Sequence, residues 1–160
     1  MTDSVASPQS APAAMPPRDA AAVLPAVRSG ARWFWWIVGL SIVNIAMFQA
    51  GNNTSFVMGL GITAVSDGLF VNHKVVGFVV DAIALGFFAF VGLQAQRGRL
   101  WAFYSGIAVY ALDALIYAAV QEWTPVAFHC LAIYFIGKGT MALRNALKAA
   151  DKVETLLTPH

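Results

Sequence analysis

A chain of 160 residues that is 59% hydrophobic and only 11% charged is too poor in charge for a water-soluble domain, where about a quarter of residues are charged. Its net charge of +2 comes from bases that flank apolar runs, which argues against a nucleic-acid surface and for the lipid bilayer as the main partner. The single cysteine, Cys130, excludes an internal disulfide and cysteine-pair redox chemistry and reads as a packing residue within an apolar stretch.

Residues 1–30 are rich in Ala, Pro and Ser, with Pro8, Pro12, Pro16, Pro17 and Pro25 interrupting any long helix. This segment is expected to be a disordered cytoplasmic tail. No positive start precedes an early apolar core, so Met1 to Ala31 is not expected to be a secretory signal.

Residues 31–147 read as one all-α, polytopic membrane domain of four transmembrane helices in an up-down bundle. The spans are expected at about 33–50, 75–95, 101–120 and 125–143, each near the roughly 20 residues that cross a bilayer. The stretch 55–70 is also apolar, but a fifth span there would leave only Asn72, His73 and Lys74 as a turn and would split the basic residues between the two sides. With four spans and a cytoplasmic N-terminus, Arg18, Arg28, Arg32, Arg97, Arg99, Lys138, Arg144, Lys148 and Lys152 all lie inside, and Lys74 alone lies outside, as the bias of basic residues toward the cytoplasm requires.

The segment 55–70 is therefore expected to form a short extracytoplasmic helix, interfacial or re-entrant, capped by Thr54 or Ser55. Gly59, Thr63, Ser66 and Asp67 would form its polar strip, and Phe56, Leu60, Val65, Leu69 and Phe70 its apolar surface. Trp33, Trp35, Trp36 and Trp101 mark the inner border and Trp123 the outer one. Ala82 with Gly86, and Ala102 with Gly106, give small-residue spacings that favour close helix contact. After the last span the chain is basic and amphipathic, and 148–160 is expected to be a cytoplasmic tail that extends the fourth helix. The two halves share no pattern that would indicate an inverted repeat.

Asn44, Asp81, Asp113 and His129 each lie about four to seven residues from the outer end of a span, or roughly 6–10 Å deep at the helical rise. Polar groups at that depth are costly in hydrocarbon and mark a candidate ion- or proton-binding cluster. Gly106, Tyr110, Asp113, Tyr117 and Gln121 form one helical stripe that directs Asp113 inward, and Ser41 shares a face with Asn44. Asp67 would lie above the cluster if the outer helix folds down.

Three readings of this layer stand side by side. In the first, Asp81 or Asp113 pairs with His129 and the pair fixes helix register, each polar contact contributing about 0.6–2 kcal/mol. In the second, the aspartates bind a cation or proton from outside and His129 exchanges protons, although Lys138 is the only ionisable group in the inner half of the spans. In the third, the two aspartates and the histidine hold a divalent metal, as in a membrane hydrolase, but no paired-histidine spacing supports it. No metal or cofactor is expected: His73 and His160 lie outside the spans, and Gly137, Lys138 and Gly139 lack the full spacing of a phosphate loop. The chain is thus expected to be non-enzymatic, working as an accessory or structural subunit of a membrane complex or as a homo-oligomer. A small proton-, ion- or solute-translocating protein is the alternative, and the expected location is a cell membrane, the inner membrane of a bacterium, with both termini cytoplasmic.

Overall fold

The computed structural model describes residues 17–50, 60–63 and 74–157. Its elements are α1 (Pro17–Ala22), α2 (Pro25–Gln49), α3 (Lys74–Gln96), α4 (Leu100–Ala119) and α5 (Trp123–Leu157). Among the described residues every element is a helix, and α2 to α5 each hold a stretch long and apolar enough to cross a membrane.

The spans fall within a few residues of the expected positions, but the helices at both ends of the chain are longer. Pro17 and Pro25 each stand at the first position of a helix, where the missing N–H removes no hydrogen bond and the fixed φ suits the first turn. They start helices within the stretch expected as a tail. Ala21, Val27 and Ala31 are buried, and α1 packs against α5 and α2, so apolar contact holds 17–30 to the bundle. At the other end α5 runs for 35 residues, about 52 Å at the helical rise. That exceeds the roughly 30 Å of hydrocarbon, so its last turns, with Arg144, Lys148 and Lys152, project beyond the apolar layer.

Helix α2 packs on α3 and α5, and α4 packs on α5 and α3, so the four long helices form a ring in which consecutive helices are neighbours. Two tight turns reverse the chain. After α3, Gly98 adopts φ +67°, its N–H donates to Ala95 O at 3.0 Å, and the Arg99 N–H donates to Gln94 O at 3.2 Å, the pattern of a left-handed C-terminal cap. After α4, Gln121 repeats it at φ 61°, with Gln121 N–H to Ala118 O at 3.1 Å and Glu122 N–H to Tyr117 O at 3.0 Å.

The interior is built on aromatic rings set against small residues. Phe34 and Phe103 lie 6.1 Å apart and Phe88 meets the edge of Tyr110 at 5.8 Å. A Cβ on Gly106 would collide with the Phe34 ring, and one on Gly30 would come within 2.8 Å of the Gly139 Cα. Such backbone approach is how helices gain contact in lipid, where the hydrophobic effect does not draw them together. The Ala102 and Gly106 spacing therefore marks a real helix contact. Ala82 and Gly86 do not, because a Cβ on Gly86 would meet nothing within 4 Å. Phe78, Ile83, Phe90, Leu112, Leu115 and Met141 point outward, an apolar exterior too extensive for a water-soluble monomer and suited to acyl chains. The protein is a multi-pass, all-α membrane protein.

Candidate functional site

The polar layer closes around residues 60–63. Leu60 is non-helical and the first turn of a helix begins at 61, so helix is not continuous across the expected 55–70; the rest of that stretch, with the proposed cap at Thr54 or Ser55 and with Asp67, lies outside the described residues. Leu60 and Thr63 are buried. The N–H of Gly61 donates to Asp113 Oδ2 at 2.7 Å and that of Ile62 to Asp113 Oδ1 at 2.8 Å. The N–H of Leu60 donates to Ser41 Oγ at 3.0 Å, and Ser41 Oγ in turn donates to Ile37 O at 2.8 Å. Thr63 Oγ1 closes the turn by donating to Leu60 O at 2.7 Å.

This arrangement answers a physical demand. Asp113 stands six residues before the end of α4, so the segment reaches about 9 Å, nearly two helical turns, below the C-terminal end of that helix. Irregular backbone at such depth is tolerated only where protein satisfies its polar groups. The first N–H groups of a helix also have no partner within it. Asp113 supplies from a neighbouring helix the carboxylate that a capping side chain would normally supply from within the same segment, and Ser41 supplies the third acceptor. Residues 60–63 thus lie against Ser41 and Asp113 within the helix bundle.

His129 completes the carboxylate. Its Nε2 lies 2.9 Å from Asp113 Oδ2, and its Nδ1–H donates to the Pro125 carbonyl at 2.8 Å. The carbonyl only accepts, so Nδ1 carries a hydrogen, and the Nε2 to Oδ2 contact holds one further proton between the two side chains. The Tyr110 ring stacks on the imidazole at 4.0 Å and 17°, and the Tyr117 ring meets it at 5.4 Å. Asp113 is 5% exposed and His129 fully buried, so no open water stands beside the pair. Gly61 makes the packing possible: a Cβ there would lie 2.9 Å from the Tyr117 ring and 3.3 Å from the Asp113 carbonyl.

The structure thus brings Asp113, His129, Tyr110, Tyr117 and Ser41 into one group. Asp81 is buried on α3, at 1% exposure. The Oδ1 of Asn44 is buried without a hydrogen-bond partner among the described residues, as is the Tyr110 hydroxyl. Among the described residues no three His, Cys, Asp or Glu side chains gather closely enough to hold a metal ion. What the sequence reading missed is that the ligands of Asp113 are backbone amides. Gly61 beside the buried apolar Leu60 was the available signal, since glycine permits close approach of other groups to the backbone.

Ser41→Ala is expected to strand the Leu60 N–H and lower stability by about 1–3 kcal/mol. Thr140→Val is expected to cost less than that, because the Thr140 hydroxyl only donates to Ile136 O of its own helix. Thermal unfolding of the two variants in the same detergent checks the difference. No protein-family model, curated protein or solved structure matches the chain.

Proposed function

We propose that this protein is a non-enzymatic integral membrane subunit, an accessory or structural component of a larger membrane complex, in which the Asp113 and His129 pair holds the outer segment in place. The observation that supports this reading most is the full engagement of the carboxylate: both oxygens accept backbone N–H groups and one also meets the imidazole. A carboxylate so used has little capacity left for a transported ion. The lipid-facing sides of α3, α4 and α5 are broad and apolar, and they offer surface for partner helices as readily as for acyl chains.

Purification of the full chain in mild detergent, followed by identification of co-purifying chains, tests this proposal. Stoichiometric membrane partners, depleted by substitutions on the outward faces such as Leu112→Ala with Leu115→Ala, are the expected result; recovery of a lone protomer, or of a homo-oligomer with flux activity, contradicts it.

A second reading, translocation of a proton, ion or small solute, draws on the backbone of 60–63 within the bundle, because irregular backbone inside a membrane also lines conducting cavities. It predicts that Asp113→Asn or Asp81→Asn abolishes flux into proteoliposomes while the amount of folded protein stays constant. The subunit reading predicts instead a loss of folded protein for Asp113→Asn.

We place both termini in the cytoplasm and the protein in a bacterial inner membrane, on the strength of the basic residues gathered at one end of the bundle. In a Cys130→Ser background, Glu122→Cys is expected to react with an impermeant maleimide added outside intact cells, and Arg97→Cys only after permeabilisation; the reverse pattern inverts the topology. Both positions are exposed. Gly98 is unsuitable for such a label, because its positive φ and its contact with Arg18 O leave no room for a side chain.

A further inference from the structure

At the end of the bundle opposite the Asp113 group, the turn between α1 and α2 and the last residue of α3 border an open cavity of about 720 Å³ lined by Val23, Pro25, Arg28, Arg32 and Gln96. Arg28 and Arg32 are one helical turn apart on the same face of α2, and both are exposed. Neither makes an ion pair among the described residues, where the one salt bridge joins His129 and Asp113.

The placement of these charges works against the helix that carries them. The first turn of α2 contains no acidic residue, and the positive end of a helix dipole favours anions and disfavours cations. Two guanidiniums stand within the first turns, and no carboxylate among the described residues makes an ion pair with either. The bias of basic residues to one side of a membrane accounts for which end they occupy. It does not account for two of them facing one cavity together with an amide donor.

We propose that this cavity binds a phosphate-bearing anion, and specifically the headgroup of an anionic membrane lipid. Guanidinium groups present paired N–H donors that match phosphate oxygens, and the Gln96 side-chain amide adds a neutral donor. Val23 and Pro25 supply an apolar wall for the glycerol and the first acyl carbons. The site lies where the spans end, at headgroup level, and basic pockets of this kind between membrane helices are suited to anionic headgroups.

The full chain in a neutral detergent is titrated with dihexanoyl phosphatidylglycerol, dihexanoyl phosphatidylcholine and inorganic phosphate, and bound ligand is read by native mass spectrometry and by the shift in thermal unfolding. Saturable binding of phosphatidylglycerol is expected, weakened roughly fivefold by Arg28→Gln or Arg32→Gln and about thirtyfold by both. Arg28→Lys with Arg32→Lys retains the charge and is expected to weaken binding less than the glutamine pair. Arg144→Gln, which removes an exposed base outside the cavity, is expected to leave binding unchanged. Inorganic phosphate binding as tightly as phosphatidylglycerol would overturn the lipid assignment in favour of a soluble phosphate. Equal binding of phosphatidylcholine, or an equal loss with Arg144→Gln, would overturn the site itself. Unfolding of each variant without ligand confirms that it is folded before binding is compared.

Discussion

Asp113→Ala is expected to lower the unfolding stability by about 3–5 kcal/mol, the range found when one member of a buried ion pair is removed and its partner is left behind. A single hydrogen bond between membrane helices contributes only about 0.6–2 kcal/mol, so the size of the effect decides between one contact and several. Here three groups lose their acceptor together: the Gly61 and Ile62 amides and the Nε2 side of His129. Gly61 and His129 are buried, whereas Ile62 is partly exposed, so the Gly61 amide and the imidazole bear most of the loss. Asp113→Asn is expected to fall between wild type and alanine, since one carbonyl oxygen remains while the new amide hydrogens face existing donors. His129→Ala removes one partner of three and is expected to cost less than Asp113→Ala. Unfolding in a fixed lipid-detergent mixture, followed by circular dichroism against increasing sodium dodecyl sulfate, gives the order. A cost for Asp113→Ala near that of Ser41→Ala would mean that the carboxylate does not organise the segment.

Substitutions of glycine by alanine are expected to change sign with position. Gly30→Ala would place a methyl group 2.8 Å from the Gly139 Cα and 3.3 Å from the Gly139 nitrogen and the Phe103 ring. Backbone cannot turn aside as a side chain can, so α2 and α5 must separate, at a cost of about 1–3 kcal/mol. Gly139→Ala meets the same obstacle from the other side, with Ala26 O at 3.1 Å. The two substitutions act on one contact and are not expected to be additive. At Gly39, Gly86 and Gly137 an added Cβ meets nothing within 4 Å, and alanine there is expected to be neutral or to gain up to about 1 kcal/mol from helix propensity. The same unfolding assay reads both signs. Uniform loss at all five positions would refute the close α2 and α5 crossing.

The number and type of the long helices were legible in the sequence because a bilayer imposes a strong pattern: about 20 apolar residues per span, with bases and tryptophans at the borders. The ends of the outer helices were less legible. Pro17 and Pro25 break a helix in its interior yet begin one at its first residue, and composition does not tell these positions apart. Within the polar layer, the stripe through Gly106, Tyr110, Asp113 and Tyr117 directed Asp113 toward the interior, and the pairing of one aspartate with His129 was among the expected outcomes. Helical spacing alone could not choose Asp113 over Asp81, because the choice depends on the rotation of α3 and α4 about their own axes. Nor could it show that the partners of Asp113 are main-chain amides, since every residue but proline carries one. Ser41 was legible as a neighbour of Asn44 on one face, but its role as acceptor for Leu60 depends on how far the chain dips between the spans.

The account rests on Asp113 holding residues 60–63 inside the bundle, and amide hydrogen exchange tests that most directly. With the protein in lipid nanodiscs, peptides covering 60–63 are expected to exchange as slowly as the neighbouring spans in wild type. In Asp113→Ala they are expected to exchange on the order of a hundredfold faster, with α4 and the inner half of α5 still protected. Rapid exchange at Gly61 and Ile62 in the wild-type protein, or protection unchanged by the substitution, would contradict the clamp.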